Sequence, residues 1–161
     1  MPVGTELDMA AVEEAARSSV SQVFSMMLQS EPSPRPSFQV EEMTPTDGVV
    51  ALLTYSGDWV GAGIFCCTDQ MARNIGSRML MEELTQMNSE VLDGVGEIAN
   101  MVLGGIKEQL LPLTGPLALS IPTVVYGKNF VARAGVRAPW IVFPFQESGA
   151  IFEVRLCLQR R

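Results

Sequence analysis

The chain has 161 residues, 47% of them hydrophobic, enough for one domain with a sizeable core and short for two. Eleven basic against eighteen acidic side chains leave a net charge of −7, which repels a nucleic-acid backbone. Histidine is absent altogether, so a Ser-His-Asp triad, a Cys-His pair, a histidine base and most catalytic zinc sites are excluded.

No apolar run approaches the roughly 20 residues of a membrane span, and the first residues lack a basic segment followed by an apolar one. A soluble, cytoplasmic protein is the expectation. Cys66, Cys67 and Cys157 form no CxxC, and adjacent cysteines are poorly placed to bridge each other, so all three read as reduced core thiols.

In chain order, residues 7–28 place Val12, Ala16, Val20, Val23, Phe24 and Met27 at three- and four-residue intervals, which predicts a first helix. EPSPRPS at 31–37 ends it as a stiff connector. Three strand-like runs follow at 38–43, 49–55 and 59–65, separated by turn residues and expected as an antiparallel meander. Thr68 or Asp69 caps a second helix to about Glu83, and Asn88 or Ser89 caps a third over roughly 89–110, stopped before Pro112. Runs at 117–126, 140–146 and 151–158 are rich in β-formers, the last two joined by the turn residues ESGA. Element order suggests a weakly duplicated helix-plus-three-strand unit. The fold class expected is α+β: an antiparallel sheet of about six strands, in two three-stranded halves, with a long first helix and two central helices on one face.

The third helix carries the most information. On a wheel centred on Glu97, the residues Glu90, Asp93, Asn100, Gly104 and Glu108 fall within about 60°, and Met101 lies about 40° away. Val91, Val95, Ile98, Val102 and Ile106 lie opposite, so the helix pairs one buried face with one narrow polar ridge. Gly94, Gly96, Gly104 and Gly105 are a costly choice, since each interior glycine costs roughly 0.5–1 kcal/mol relative to alanine. Small residues let another backbone come close, either a neighbouring helix or an incoming partner. An ExxN spacing by itself is common on solvent-facing helices.

DGVGEIANMVLGGIKEQL followed by SIPTVVYGKN resembles the signature of the CheC/CheX/FliY family of chemotaxis phosphatases, and within it the CheX type. The matching positions are Asp93, Glu97, Asn100 and Pro122, and GDWVGAGIF, MARNIGSRML and WIVFPFQESGAIFEVRLCL resemble the family's hairpins and intervening helix. Some members carry two such sites, one per half; here the first helix offers only Glu14-Ala-Ala-Arg17, which resembles the single-site, homodimeric type.

The resemblance implies hydrolysis of the aspartyl-phosphate of a CheY-type receiver domain. Asn100 would orient the attacking water, and Glu97 would pair with the receiver's lysine. Asp93, Gly94, Met101 and Gly104 would flank the contact, with Pro122 architectural. Asp93 is the hardest to assign, because two carboxylates aimed at an acidic pocket repel it. No cofactor or metal is expected on this chain; Mg2+ belongs to the receiver. The alternative is a non-catalytic adaptor or flagellar-switch-like binding module of the same fold.

Overall fold

The structure, a computed structural model, describes residues 7–161. Helix α1 spans Met9–Leu28, started by Asp8, whose side chain accepts from the Ala10 N–H at 3.0 Å. Strands β1 (Ser33–Pro34), β2 (Phe38–Val40), β3 (Thr46–Gly57) and β4 (Trp59–Cys67) follow. Helix α2 (Asp69–Leu80) is capped by Thr68 and stops at Met81, whose φ of 54° takes the left-handed conformation, so it ends short of the expected Glu83.

Helix α3 (Ser89–Thr114), capped by Asn88, runs through Pro112 rather than stopping before it. The proline lies in the last turn, and the carbonyl of exposed Glu108 that it leaves unpaired faces water. The helix then ends at Gly115, with φ +73°, whose N–H donates to the Leu111 carbonyl at 2.9 Å. Strands β5 (Leu117–Leu119), β6 (Thr123–Phe130), β7 (Trp140–Glu147) and β8 (Ala150–Arg160) complete the order.

All eight strands join one antiparallel sheet, more strands than the six expected, because both edges are interrupted. β1 and β2 lie in turn along β7, and β5 and β6 lie in turn along β3, giving six positions across the sheet with β8 and β4 at its centre. Prolines cause the breaks: Pro36 and Pro122 fall in the gaps and have no N–H for a ladder. The connector 31–37 is thus partly strand, with Arg35 N–H donating to the Pro144 carbonyl at 2.9 Å.

The meander of 38–43, 49–55 and 59–65 is not formed. Both flanks of β3 are occupied, by β4 on one side and by β5 and β6 on the other, so β2 docks on β7. The two halves therefore exchange their first strands instead of forming separate three-stranded sheets.

The three helices pack on one face of this sheet. Phe24 of α1 stacks on Phe152 of β8 with centroids 4.8 Å apart, and Phe65 and Phe145 close the cluster. Truncating any of these rings to alanine removes about 3–5 kcal/mol. The opposite face carries a smaller core of Val50, Ala62, Ile64, Cys66, Trp140 and Cys157, covered in part by Ala132, Ala134, Val136 and Ala138.

The duplication is legible in burial. Shifting α1 so that Val12 falls on Val95 superposes buried Ala15, Ala16, Ser19, Val20 and Val23 on buried Ile98, Ala99, Val102, Leu103 and Ile106. The same shift places Glu14 on Glu97 and Arg17 on Asn100.

Candidate functional site: the polar ridge of α3

Asp93 and Glu97 are exposed, and Asn100, Met101 and Gly104 are half-buried along the same side of α3. Among the described residues, the side chains of Asp93, Glu97 and Asn100 have no hydrogen-bond or ion-pair partner. Asp93 and Glu97 therefore face solvent, while Asn100 is half-buried with its amide uncommitted. Met101 differs in that its side chain also leans on the main core.

The helix beneath them is pinned from two sides. The Ser19 hydroxyl of α1 donates to the Val102 carbonyl at 2.6 Å, and the buried Tyr55 hydroxyl of β3 donates to the Leu103 carbonyl at 2.7 Å. Burial pushes the Tyr55 phenol far above its ordinary range, so it remains a donor at any working pH. Both bonds fall just beyond Asn100 and Met101, and fix the ridge in place and rotation.

The glycines find their neighbours within the molecule. A Cβ on Gly94 would stand 3.4 Å from the Gly76 Cα of α2, and one on Gly96 would stand 3.2 Å from Val124 and 3.6 Å from Pro122. One on Gly105 would run into the Ser19 hydroxyl. Close internal packing therefore accounts for Gly94, Gly96 and Gly105. Gly104 alone among them is loosely surrounded, its nearest neighbour being Leu119 at 3.8 Å from a built Cβ.

Pro122, placed by the sequence in a continuous strand 117–126, lies in the gap between β5 and β6, against Gly96. The gap is a built feature. The Thr54 N–H donates to Ser120 Oγ, the Ser120 N–H donates to the Thr54 carbonyl, both at 2.9 Å, and Ser120 Oγ donates to the Ile121 carbonyl at 3.0 Å. Sequence reasoning missed Leu119 as a neighbour of Gly104 and the break at 120–122; a proline inside a strand-like run was the available signal.

Other reactive groups lie elsewhere. Cys66, Cys67 and Cys157 are all free and buried. Burial pushes the Cys66 thiol up to about 12 and raises the other two as well, so none is a nucleophile near neutrality. At the start of α2, the Tyr126 hydroxyl and the Arg73 guanidinium bond to Asp69 at 2.8 and 2.7 Å and hold its carboxyl below the usual range, which ties α2 to β6. Among the described residues, no three carboxylates, cysteines or histidines converge to hold a metal. A cavity of about 910 Å³ lies between residues 41–43 and 131–140, against the smaller core, and none of the ridge residues lines it. No described helix is long and apolar enough to cross a membrane.

The ridge thus carries an exposed carboxylate and a half-buried amide, both without an internal partner, on a helix held by α1 and β3. The chain belongs to the family described as chemotaxis phosphatase CheX, which matches residues 49–146 and so includes the whole ridge. No curated protein matches the chain.

Among solved structures, the chain is similar to chemotaxis protein CheX from Vibrio vulnificus, at 26% identity and a TM-score of 0.82, covering 92% of this chain and 99% of that one. It is similar to a chemotactic CheC-like protein from Shewanella oneidensis MR-1, at 25% identity and 0.79, covering 94% and 100%. It also shares the fold of a chain in the CheX–CheY–BeF3–Mg2+ complex from Borrelia burgdorferi, at 21% identity and 0.76, covering 96% and 100%.

Proposed function

We propose that this protein is a cytoplasmic phosphatase that hydrolyses the aspartyl-phosphate of a CheY-type receiver, ending a chemotaxis or related two-component signal. The observation that carries this reading is the pair of free polar groups, Glu97 and Asn100, on the ridge of α3 in a chain of the CheX family. The Borrelia burgdorferi complex supports the partner class, because in it a protein of this fold is bound to CheY with Mg2+ and BeF3.

An acyl phosphate is already activated, so the chain must chiefly hold a water in line with phosphorus. Asn100 has both a donor and an acceptor on a short side chain and orients that water. Glu97, one turn earlier, pairs with the receiver's lysine and fixes the register. Asp93, Gly94, Met101 and Gly104 flank the contact. Mg2+ is supplied by the receiver, and no group on this chain is required to bind it. The homodimer implied by the family resemblance belongs to the same proposal and is tested by mass in solution.

Phosphate loss from a phosphorylated receiver, followed with and without the protein, tests the reading. Acceleration is expected, reduced about a hundredfold by Asn100→Ala, the scale at which lost positioning is felt. Absence of acceleration with every receiver of the source organism leaves the adaptor in its place.

A further inference from the structure

We propose that Ile121 is the apolar anchor through which the ridge recognises its phosphorylated receiver, a specificity-determining contact that acts on binding and not on chemistry. This rests on the receiver reading above and adds the residue that grips the partner.

Ile121 is 85% exposed, more than every exposed large hydrophobic among the described residues except Met81, and it stands in a segment whose neighbours are fixed. Its level along α3 follows from the residues on either side. Leu119 packs beside Gly104, while Pro122 and Val124 pack beside Gly96. From Gly96 to Gly104 the helix rises about 12 Å, with Asn100 midway. The chain from Leu119 to Pro122 passes this stretch of α3 in the opposite direction, so Ile121, next to Pro122, lies toward the Gly96 end, within about one helical turn of the level of Asn100.

The backbone there is held. Ser120 is bonded on both its N–H and its hydroxyl to Thr54, and its hydroxyl also bonds the Ile121 carbonyl. The next residue is a proline with fixed φ. Ile121 is itself β-branched and stiff at χ1. A rigid apolar side chain loses little entropy on binding, the property expected of an anchor residue.

Electrostatics shows why one is needed. The chain carries a net charge of −7, and Glu90, Asp93 and Glu97 are all exposed along the ridge. A phosphoryl group is also anionic, so at long range the two surfaces repel. Glu97 gains one cation at contact; the remaining attraction must be short-ranged, and burial of Ile121 supplies it. Met81 is exposed further, at 93%, but it lies at the C-terminal cap of α2 and not in the segment that packs on Gly96 and Gly104.

The test titrates CheY-type receivers of the source organism, loaded with Mg2+ and beryllofluoride, into the wild type, Ile121→Asp, Ile121→Leu and Asn100→Ala. Phosphate-release kinetics are run on the same four proteins. Ile121→Asp is expected to weaken binding about 30-fold and to raise KM by the same factor with kcat at saturation unchanged. Ile121→Leu restores both to within about threefold, and Asn100→Ala binds as the wild type does but fails to turn over. Wild-type affinity in Ile121→Asp overturns the anchor and leaves the phosphatase reading standing. Binding that depends on Ile121 without hydrolysis by the wild type overturns the phosphatase reading and leaves the anchor. If no receiver binds the wild type, both fall.

Discussion

The Ser19 hydroxyl and the Val102 carbonyl meet at 2.6 Å where α1 crosses α3, and the two residues occupy equivalent positions in the two halves of the fold. The bond takes the free lone pair of a carbonyl already inside a helix, so it adds a tertiary tether without removing a helical one. It sits less than one turn from Asn100 and resists any push on the ridge.

Gly105 is the counterpart of this tether. An added methyl there collides with the Ser19 hydroxyl, so Gly105→Ala forces the hydroxyl away from Val102. We expect Gly105→Ala to cost about 1–3 kcal/mol, more than the 0.5–1 kcal/mol that alanine gains in a helix interior. In a Ser19→Ala background the hydroxyl is gone, and the cost should fall by at least about 1 kcal/mol. Urea melts of the four proteins measure this coupling; simple additivity would rule out the tether.

Gly104→Ala separates stability from recognition. The new methyl meets nothing nearer than Leu119 at 3.8 Å, so the helix gains about 0.5–1 kcal/mol and the melting temperature rises. The methyl stands on the ridge, however, and should raise KM for the phosphorylated receiver several-fold. Unchanged kinetics would mean that the partner does not reach this end of α3.

The ridge was readable from the sequence because a 3.6-residue period fixes which side chains share a helix face, and α3 is long and regular. Caps at Thr68 and Asn88 and the Glu147–Ala150 turn were equally local, the last using Ser148 and Gly149 at positive φ. Strand pairing was not local. That β2 leaves β3 for β7 depends on β5 and β6, more than 70 residues further on, taking the free edge of β3. The internal partners of Gly94, Gly96 and Gly105 were hidden for a related reason: they lie on other elements, 18 to 86 residues away along the chain, and only the tertiary packing brings them together. Ile121 was hidden because a hydrophobic residue in a β-rich run reads as core until the gap beside Pro122 is seen.

The cysteines set a high-pH limit on stability. Burial raises the Cys66 thiol from 9.0 to about 12, and it raises Cys67 and Cys157 in the same direction. Above about pH 9 the unfolded chain releases these protons and the folded chain keeps them. The unfolded state then binds fewer protons, and stability falls as pH rises toward 12. Each thiol contributes a slope of up to about 1.4 kcal/mol per pH unit within its window. Urea melts at pH 7.5 and 10 should show the loss, and Cys66→Ala should make it shallower. A thiol reagent at pH 8 should label the native protein far more slowly than the urea-unfolded chain. Rapid native labelling would contradict the burial argument.

The first half of the fold supplies the control for the second. Glu14 falls on Glu97 under the internal repeat, but Arg17 falls on Asn100 and Glu13 on Gly96. Arg17 pairs with Glu13 at 2.8 Å, Ser37 donates to Glu13 at 3.4 Å, and Arg17 reaches the Arg35 carbonyl at 3.5 Å. The flank that is open beside Asn100 is here crossed by an ion pair tied to the connector, and no amide is present to orient water. Glu14→Ala and Arg17→Ala should therefore leave receiver dephosphorylation at the wild-type rate, while Glu97→Ala raises KM and Asn100→Ala lowers kcat. Because the Glu13–Arg17 pair is partly exposed, Arg17→Ala should also change stability by no more than about 0.5 kcal/mol. A loss of activity in either α1 variant, with folding intact, would show that both halves of the repeat engage the partner.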